Sequence, residues 1–312
     1  MREIRIPGTP SEKIAEILKE IPEDVIAGTV TTGYPFPPAM EGIRVLVLGC
    51  GTGRDAYIAS KLVGEDGMVI GVDPDADKIA VARKHAPANC QFIVSELTNL
   101  EAIVDSETDL VISNCGISAP INTQAVLNEV WRVLAYGGEL YATDVFADRR
   151  MTASIKSCPV KRAAGTGSAM YIEDFRRQMT AAGWADFRHT RTVATSTDDP
   201  DFAGITFFVR TVRAYKIPDK IEDLCEQYGQ VATYLGGIEG CDEYYDLDDH
   251  HRFVKDEPLE VCGNSCSMVQ DTRVGKYFKI DGNRNVHYGP YPGCGNIPYT
   301  ADNGEVVTSS CC

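Results

Sequence analysis

Three glycines at alternate positions are the first residues whose type and spacing have a clear chemical use. Gly49, Gly51 and Gly53 follow the apolar run Val45–Leu48 and precede a stretch of helical character. Such a turn between a buried strand and a helix lets a ligand approach the backbone closely. The next apolar run of strand character ends in Asp73, whose carboxylate is placed to accept the hydroxyls of a ribose. Together these residues predict a nucleoside site.

The spacing of the glycines favours a nucleoside without phosphates. Gly-x-Gly-x-Gly is tighter than the Gly-x-Gly-x-x-Gly of dinucleotide folds, and the sequence has no Gly-x-x-x-x-Gly-Lys-[Ser/Thr] phosphate loop. We therefore expect S-adenosylmethionine as the cofactor. A Rossmann-like sheet that binds another ligand is the alternative.

Alternating strand and helix patterns surround the glycine turn. This alternation predicts an α/β fold with a doubly wound sheet. With S-adenosylmethionine as the ligand, we expect the class I methyltransferase (Rossmann-like) type of this sheet, with added substrate-binding and C-terminal subdomains. The predicted strands are 43–48, 68–72, 91–94, 110–114, 139–145, 187–193 and 205–215, and the predicted helices are 12–21, 54–63, 75–85, 122–134 and 172–182.

Shifts in composition divide the chain into three predicted units. Residues 1–148 would form the cofactor-binding domain with an N-terminal lead-in, and 149–216 a substrate-binding subdomain. Residues 217–312 form a third unit that is rich in Gly, Asp and Tyr. Its cysteines are Cys225, Cys241, Cys262, Cys266, Cys294 and the terminal pair Cys311-Cys312.

Charge and cysteine content exclude several classes of function. The formal net charge of −15 argues against nucleic acid and acidic membrane surfaces as partners. No apolar run approaches the roughly 18 residues that span a bilayer, and the N-terminus lacks the apolar core of a signal peptide. We expect a cytoplasmic monomer whose 11 cysteines are mostly thiols.

The chain carries Ser-Asn-Cys at 113–115 and Asp-Leu-Cys-Glu-x-Tyr-Gly-Gln at 223–230. With the glycine turn, these motifs resemble those of the arsenite methyltransferases, and the resemblance extends from about Val25 to Cys294. The nucleotide motifs are shared by many methyltransferases, whereas the Ser-Asn-Cys and Asp-Leu-Cys-Glu-x-Tyr-Gly-Gln motifs are far more specific. The matching segments include 48–55, 113–117, 129–134, 138–145, 223–232 and 287–289.

The resemblance implies methyl transfer from S-adenosylmethionine to trivalent arsenic, either arsenite or methylarsenite, held by cysteine thiolates. Thiolates are soft ligands that prefer soft centres, and bound trivalent arsenic keeps a lone pair that can attack a methyl carbon. Cys50 and Cys225 match the family's arsenic-binding positions, and Cys158 is a candidate third thiol. The implied cofactor-binding residues are Gly49, Gly51, Gly53, Arg54, Asp73, Leu97 and Asn114.

The chain departs from the family pattern at both sites. Gly165 stands where a further arsenic-binding cysteine is usual, and Thr31 or Thr32 stands near the place of an N-terminal cysteine. Val47 replaces an acid before the glycine turn, and Leu97 lies in a changed adenine segment, Ser-Glu-Leu-Thr. With two thiolates, arsenic would need a small thiol such as glutathione, a methyl group or Cys158 as its third ligand.

The sequence leaves two other functions open besides arsenic methylation. One is methylation of a small organic thiol or another metalloid, and the other is a thiol-rich metalloid-binding protein with impaired catalysis. The spacing Cys262-x-x-x-Cys266 with Cys294 and a nearby histidine, His250 or His251, admits a zinc site. It lacks a Cys-x-x-Cys partner pair, so zinc is disfavoured.

Overall fold

The computed structural model describes residues 11–28, 31–195, 197 and 199–294. Its largest sheet contains β1 (Arg44–Leu48), β2 (Met68–Asp73), β3 (Cys90–Val94), β4 (Thr108–Asn114), β5 (Leu134–Ala147), β6 (Met170–Tyr171), β7 (Arg188–Thr195) and β8 (Phe207–Tyr215). The strand order is β3-β2-β1-β4-β5-β8-β7, with β6 paired to β5. Strands β1 to β5 pair in parallel, and β8 runs antiparallel to β5 and β7.

This sheet confirms the predicted doubly wound α/β fold. The strand order reverses between β1 and β4, and ligands of open α/β sheets bind at the carboxyl ends of the strands at such a switch point. The ends of β1, β2 and β4 carry Gly49, Asp73 and Asn114, three of the predicted cofactor-binding residues.

Helices cover both faces of the sheet. One apolar cluster packs α3 and α4 against it, and another packs α5 and α8 on the opposite face. Between α5 and the start of β7, the rings of Trp131 and Trp184 meet edge to face with centroids 5.0 Å apart. The helices are α1 (Glu12–Glu20), α2 (Glu23–Ala27), α3 (Arg54–Val63), α4 (Ala76–Lys84), α5 (Thr123–Val133), α6 (Ala153–Lys156), α7 (Pro159–Ala163), α8 (Ile172–Ala182) and α9 (Gly263–Gln270).

Polar side chains fix where the main helices begin. The Ser11 hydroxyl accepts a hydrogen bond from the Ile14 amide at the start of α1. Asp75 caps α4 and Asn122 caps α5 in the same way. Each cap satisfies an amide that the first helical turn leaves without a partner.

Sequence patterns missed two parts of the fold. The stretch 149–167, for which we predicted no helix, contains α6 and α7, which are too short to show a helical period. The C-terminal unit, for which we predicted no strands, packs its sheets around Tyr234, Tyr245, Phe253 and Phe278. Its strands are β9 (Gln230–Tyr234), β10 (Tyr244–Asp246), β11 (Arg252–Val254), β12 (Pro258–Val261) and β13 (Phe278–Asp281).

Within the described residues, no helix has the length and apolar character needed to cross a bilayer. The terminal cysteines, Cys311 and Cys312, lie outside the described residues.

A buried carboxylate joins the main sheet to the C-terminal unit. Glu139 of β5 has 0% of its surface exposed and accepts a hydrogen bond of 2.7 Å from Arg213 of β8. Arg273 of the C-terminal unit contacts the other oxygen of the same carboxylate and donates to the Ala39 carbonyl at 2.9 Å. The carboxylate therefore holds three parts of the chain together.

We predict that Glu139→Ala lowers the free energy of unfolding by about 3–5 kcal/mol, because it leaves two buried guanidinium groups without their shared anion. Urea denaturation of the full chain measures the change. Lys13→Ala is the control, since the Lys13–Glu239 pair is solvent-exposed and should contribute under about 1 kcal/mol. Equal losses in both variants would contradict this role of Glu139.

Candidate active site

The glycine loop forms an open cradle at the carboxyl end of β1. Gly49, Gly51 and Gly53 have φ angles of +71°, +55° and +99°, a region that side chains disfavour. A Cβ atom at Gly49 would come 3.2 Å from Gly116, whereas one at Gly51 would meet nothing within 4 Å. The loop is thus packed on one side and open on the other.

Asp73 supports this loop from the neighbouring strand. One carboxylate oxygen accepts the Gly51 amide at 2.9 Å, and the other accepts the Asp75 amide at 3.0 Å. A carboxylate has about four lone-pair positions, so two amides leave acceptor capacity for ribose hydroxyls. The open cradle and this acid fit an adenosine group.

Arg54 and Asn114, two further predicted cofactor residues, belong to one buried network. The Arg54 guanidinium donates to Asp55 at 2.8 Å and to the Thr31 hydroxyl at 2.8 Å. Asn114 donates to Asp55 at 3.1 Å and accepts the Thr32 amide at 2.8 Å. These bonds hold residues 31–33 over the ends of β1 and β4.

Leu97 and Thr32 complete the surroundings of the cradle. Leu97 is 3% exposed, and its methyl group lies beside Gly49. The Thr32 hydroxyl donates to Asn114 at 2.7 Å and accepts a hydrogen bond of 3.4 Å from the Cys115 thiol. Burial raises the pKa of Cys115, so its thiol stays protonated at neutral pH. Thr32, which stands near the place of a family cysteine, therefore has polar partners of its own.

Asp144 near the end of β5 has a structural role. It is 1% exposed and accepts the amide and the hydroxyl of Ser118 at 3.0 and 2.5 Å. Burial raises the pKa of Asp144 to about 6, although these hydrogen bonds oppose the shift.

Cys50 lies inside the glycine loop and faces the sheet. It is 4% exposed, its sulfur lies against Gly71 of β2, and it packs in the apolar cluster beneath α3 and α4. Burial, and after it the negative charge of Asp73, raises the pKa of Cys50 well above its usual range. Its thiol is therefore protonated at neutral pH.

Cys158 begins α7 and is partly exposed. The 3₁₀ turn that follows α7 starts after Gly165, whose φ of +83° is a left-handed conformation. Cys50 lies in the glycine loop after β1, Cys158 directly precedes α7, and Cys225 follows β8. The three predicted arsenic-binding cysteines thus lie on three different segments.

Cys225 lies beside a buried cation. Its sulfur is 4.0 Å from a guanidinium nitrogen of Arg188, the first residue of β7. Arg188 also donates to Asp186 at 2.7 Å and to Asp248 at 3.4 Å. Although burial disfavours the charged form, these anionic neighbours hold the pKa of Arg188 well above its usual range. Arg188 is therefore charged.

Two other cysteines join Cys225 near this cation. The side chain of Cys262 interacts with those of Cys225 and Cys294, and these contacts, with the charge of Arg188, lower the pKa of Cys262 well below its usual range. The contact with Cys225 lowers the pKa of Cys294. The neighbouring Cys262 thiolate and burial raise it by more, so the pKa of Cys294 lies above its usual value. Sequence spacing linked Cys262 to Cys266, yet the Cys266 sulfur contacts Gln270 instead.

Two adjoining cavities lie beside the sheet, and the larger one reaches the C-terminal unit. The larger, of about 700 Å³, is lined by Asp248 and Arg213 among others. The smaller, of about 210 Å³, reaches Thr32, and the two share Tyr141 and Thr190. They extend from the neighbourhood of Arg188 to the residues bonded to Asn114.

Known proteins resemble this chain over nearly its whole length. A methyltransferase domain model matches residues 39–187. An arsenite methyltransferase of Aquipseudomonas alcaligenes is 35% identical over 95% of this chain and 90% of its own. The mouse arsenite methyltransferase is 32% identical over 85% of this chain and 74% of its own.

A solved structure has the same architecture. The arsenic (III) S-adenosylmethionine methyltransferase from Chlamydomonas reinhardtii superposes with a TM-score of 0.87 at 41% identity. The match covers 91% of this chain and 100% of that one.

We predict that Gly51→Ala weakens S-adenosylmethionine binding about tenfold or more, about 1.4 kcal/mol, because its methyl group enters the open side of the cradle. Calorimetric titration measures the affinity. Gly42→Ala is a control, since Gly42 also has a positive φ, +72°, and open space around it. Both variants should lose about 1–2 kcal/mol of stability to backbone strain. Equal cofactor affinities in the two would place the cofactor elsewhere.

Proposed function

Because this chain belongs to the arsenite methyltransferase family, we propose that it transfers the methyl group of S-adenosylmethionine to trivalent arsenic held by cysteine thiolates. One structural observation carries the proposal. An open glycine cradle at the switch point of the sheet occurs together with a sulfur, that of Cys225, 4.0 Å from the buried guanidinium of Arg188. The open cradle provides the space that a methyl donor needs. The guanidinium of Arg188 favours an anionic sulfur, which binds a soft acceptor.

The reaction makes modest chemical demands on the protein. S-adenosylmethionine, when bound, supplies an electrophilic methyl group on a positively charged sulfur. Trivalent arsenic keeps a lone pair and carries no proton, so no general base is required. The chain's own residues therefore act mainly by positioning the arsenic and by excluding water.

The cofactor edge provides the positioning for the donor. In the proposal, Gly49, Gly51 and Gly53 let the cofactor lie against the backbone, and Asp73 accepts the ribose hydroxyls. Leu97 provides an apolar wall beside the loop. Arg54 and Asn114, the other two predicted cofactor-binding residues, act indirectly, because they hold residues 31–33 over the carboxyl edge of the sheet.

Cys225 is the cysteine we propose as the principal arsenic ligand. Its neighbour Arg188 stabilises negative charge on sulfur, and the thiolate is the form that binds soft centres. Cys50 and Cys158, the other two cysteines singled out by the sequence, have weaker support. Cys50 is buried with its pKa raised by burial, and Cys158 lies in a segment of short helices.

A small thiol such as glutathione is the co-reactant we propose. Methyl transfer to the arsenic lone pair oxidises arsenic by two electrons, and the oxidation of two thiols to a disulfide returns them. Such thiols are abundant in reducing compartments, so the proposal places the enzyme, as a monomer, in the cytoplasm.

We predict that Cys225→Ser lowers kcat/KM for arsenite methylation at least about a hundredfold, about 2.7 kcal/mol, because a hydroxyl is a hard ligand that binds trivalent arsenic poorly. Chromatographic analysis of methylated arsenic, after incubation with arsenite, S-adenosylmethionine and glutathione, measures the rate. Methylarsenite serves as a second substrate.

Cys90→Ser is the control for the loss of a buried thiol. Cys90 lies in β3 and contacts the Ala56 carbonyl, so its replacement should leave the rate within about twofold. Cys50→Ser, run in the same assay, tests the second sequence-derived cysteine. Full activity of Cys225→Ser with arsenite would overturn the assignment of Cys225.

A further inference from the structure

Three backbone segments meet beside Arg188, and each carries a cysteine. The Tyr291 amide donates to the Cys225 carbonyl at 2.7 Å, and the Cys294 amide donates to the Tyr291 carbonyl at 3.3 Å. The Gly263 amide donates to the Glu226 carbonyl at 2.9 Å, which places the start of α9 against the Cys225 segment. Main-chain hydrogen bonds thus hold the three cysteines together.

The sulfurs of this group, which we call the sulfur triad (Cys225, Cys262 and Cys294), share one environment. Cys262 interacts with both other members, and its sulfur accepts the Ser265 amide at 3.4 Å. Cys225 and Cys262 are 8% and 1% exposed, whereas Cys294 is partly exposed. Two members of the triad are therefore buried, and the third is partly exposed to solvent.

Charge around the triad favours a neutral complex. Asp186 and Asp248 already surround the single positive charge of Arg188. Further net negative charge would be costly in this buried setting. Trivalent arsenic bound to three thiolates is neutral. Zinc bound to the same three thiolates would carry one negative charge and would still lack its fourth ligand.

The next cysteine of α9 does not extend the triad to four ligands. Cys266 is 0% exposed, packs in the core of the C-terminal unit and directs its sulfur to Gln270. The described residues therefore bring three sulfurs near one another here, the number of bonds that trivalent arsenic forms. The three sulfurs do not all lie within 4.8 Å of one another, so binding one arsenic requires them to move closer.

We infer that Cys225, Cys262 and Cys294 form a three-thiolate capture site for arsenite. Three arsenic–oxygen bonds break and three arsenic–sulfur bonds form, and each arsenic hydroxyl leaves as water with a proton that comes from a thiol or, for the Cys262 thiolate, from solvent. No oxidant or reductant is needed. The inference rests on the proposed function, because both assign Cys225 as an arsenic ligand. It differs in the other two ligands, which are Cys262 and Cys294 and not Cys50 and glutathione.

Arsenite binding to the full chain tests the site. We expect X-ray absorption at the arsenic edge to show three sulfur ligands in the wild type and in Cys266→Ser. Cys262→Ser and Cys294→Ser should each bind arsenite at least tenfold more weakly. Cys262→Ser keeps the N-cap of α9, because serine is a preferred capping residue.

Methylarsenite separates a three-sulfur site from a two-sulfur site. It has two exchangeable oxygens, so the two sulfurs left in Cys294→Ser should bind it within threefold of the wild type. Wild-type arsenite affinity and three-sulfur coordination in both Cys262→Ser and Cys294→Ser would overturn the inference. So would loss of three-sulfur coordination in Cys50→Ser.

The two proposals fail in different ways. If the wild type binds arsenite through three sulfurs but forms no methylated product with S-adenosylmethionine, the proposed function is wrong and the capture site stands. If the wild type methylates arsenite while Cys262→Ser and Cys294→Ser bind it unchanged, the proposed function stands and the capture site is wrong.

Discussion

Salt bridges to buried carboxylates determine how the C-terminal unit lies against the sheet. The Glu139 carboxylate inside the sheet is neutralised by Arg213 of the neighbouring strand and by Arg273 of the C-terminal unit. A buried charge is tolerated when its partners are in place, so the two parts of the chain must dock in one orientation. Arg188 adds a second constraint of the same kind, since Asp248 comes from the C-terminal unit. The cysteines of that unit take their positions from this docking.

The cofactor edge was predictable from the sequence because its residues are local to strand ends. Parallel strands bring their carboxyl ends to one edge of a sheet, so Gly49, Asp73 and Asn114 meet wherever their strands pair in order. An apolar run followed by a glycine or an acid was enough to identify these ends. The sequence did not predict that Arg54 and Asn114 hold residues 31–33, since the contacts join segments that no periodic pattern relates.

The sulfur triad was not predictable from spacing. Cys262 and Cys266 are close in sequence but diverge, because a helix that begins at Gly263 carries the second sulfur into the apolar core. Cys225 and Cys294 are brought to Cys262 by hydrogen bonds between irregular segments, which leave no signal in hydrophobic periodicity. For the same reason, the sequence did not predict the short strands of this unit.

The structure also bears on the two family cysteines that this chain lacks. Gly165 has a φ of +83°, a conformation that costs a cysteine about 1–2 kcal/mol. The backbone at this position therefore disfavours the cysteine that the family usually carries there. Thr32 has its own hydrogen bonds to Asn114 and Cys115. The sulfurs of the triad lie near Arg188 at the start of β7, three strand spacings or about 14 Å across the sheet from β4. Capture of arsenic and transfer of the methyl group would then occupy different places, and the two cavities that share Tyr141 and Thr190 lie between them. To reach the methyl donor, arsenic would therefore leave the triad by thiol exchange, in which each arsenic–sulfur bond that breaks is replaced by a bond to another thiol and the released cysteine takes up that thiol's proton.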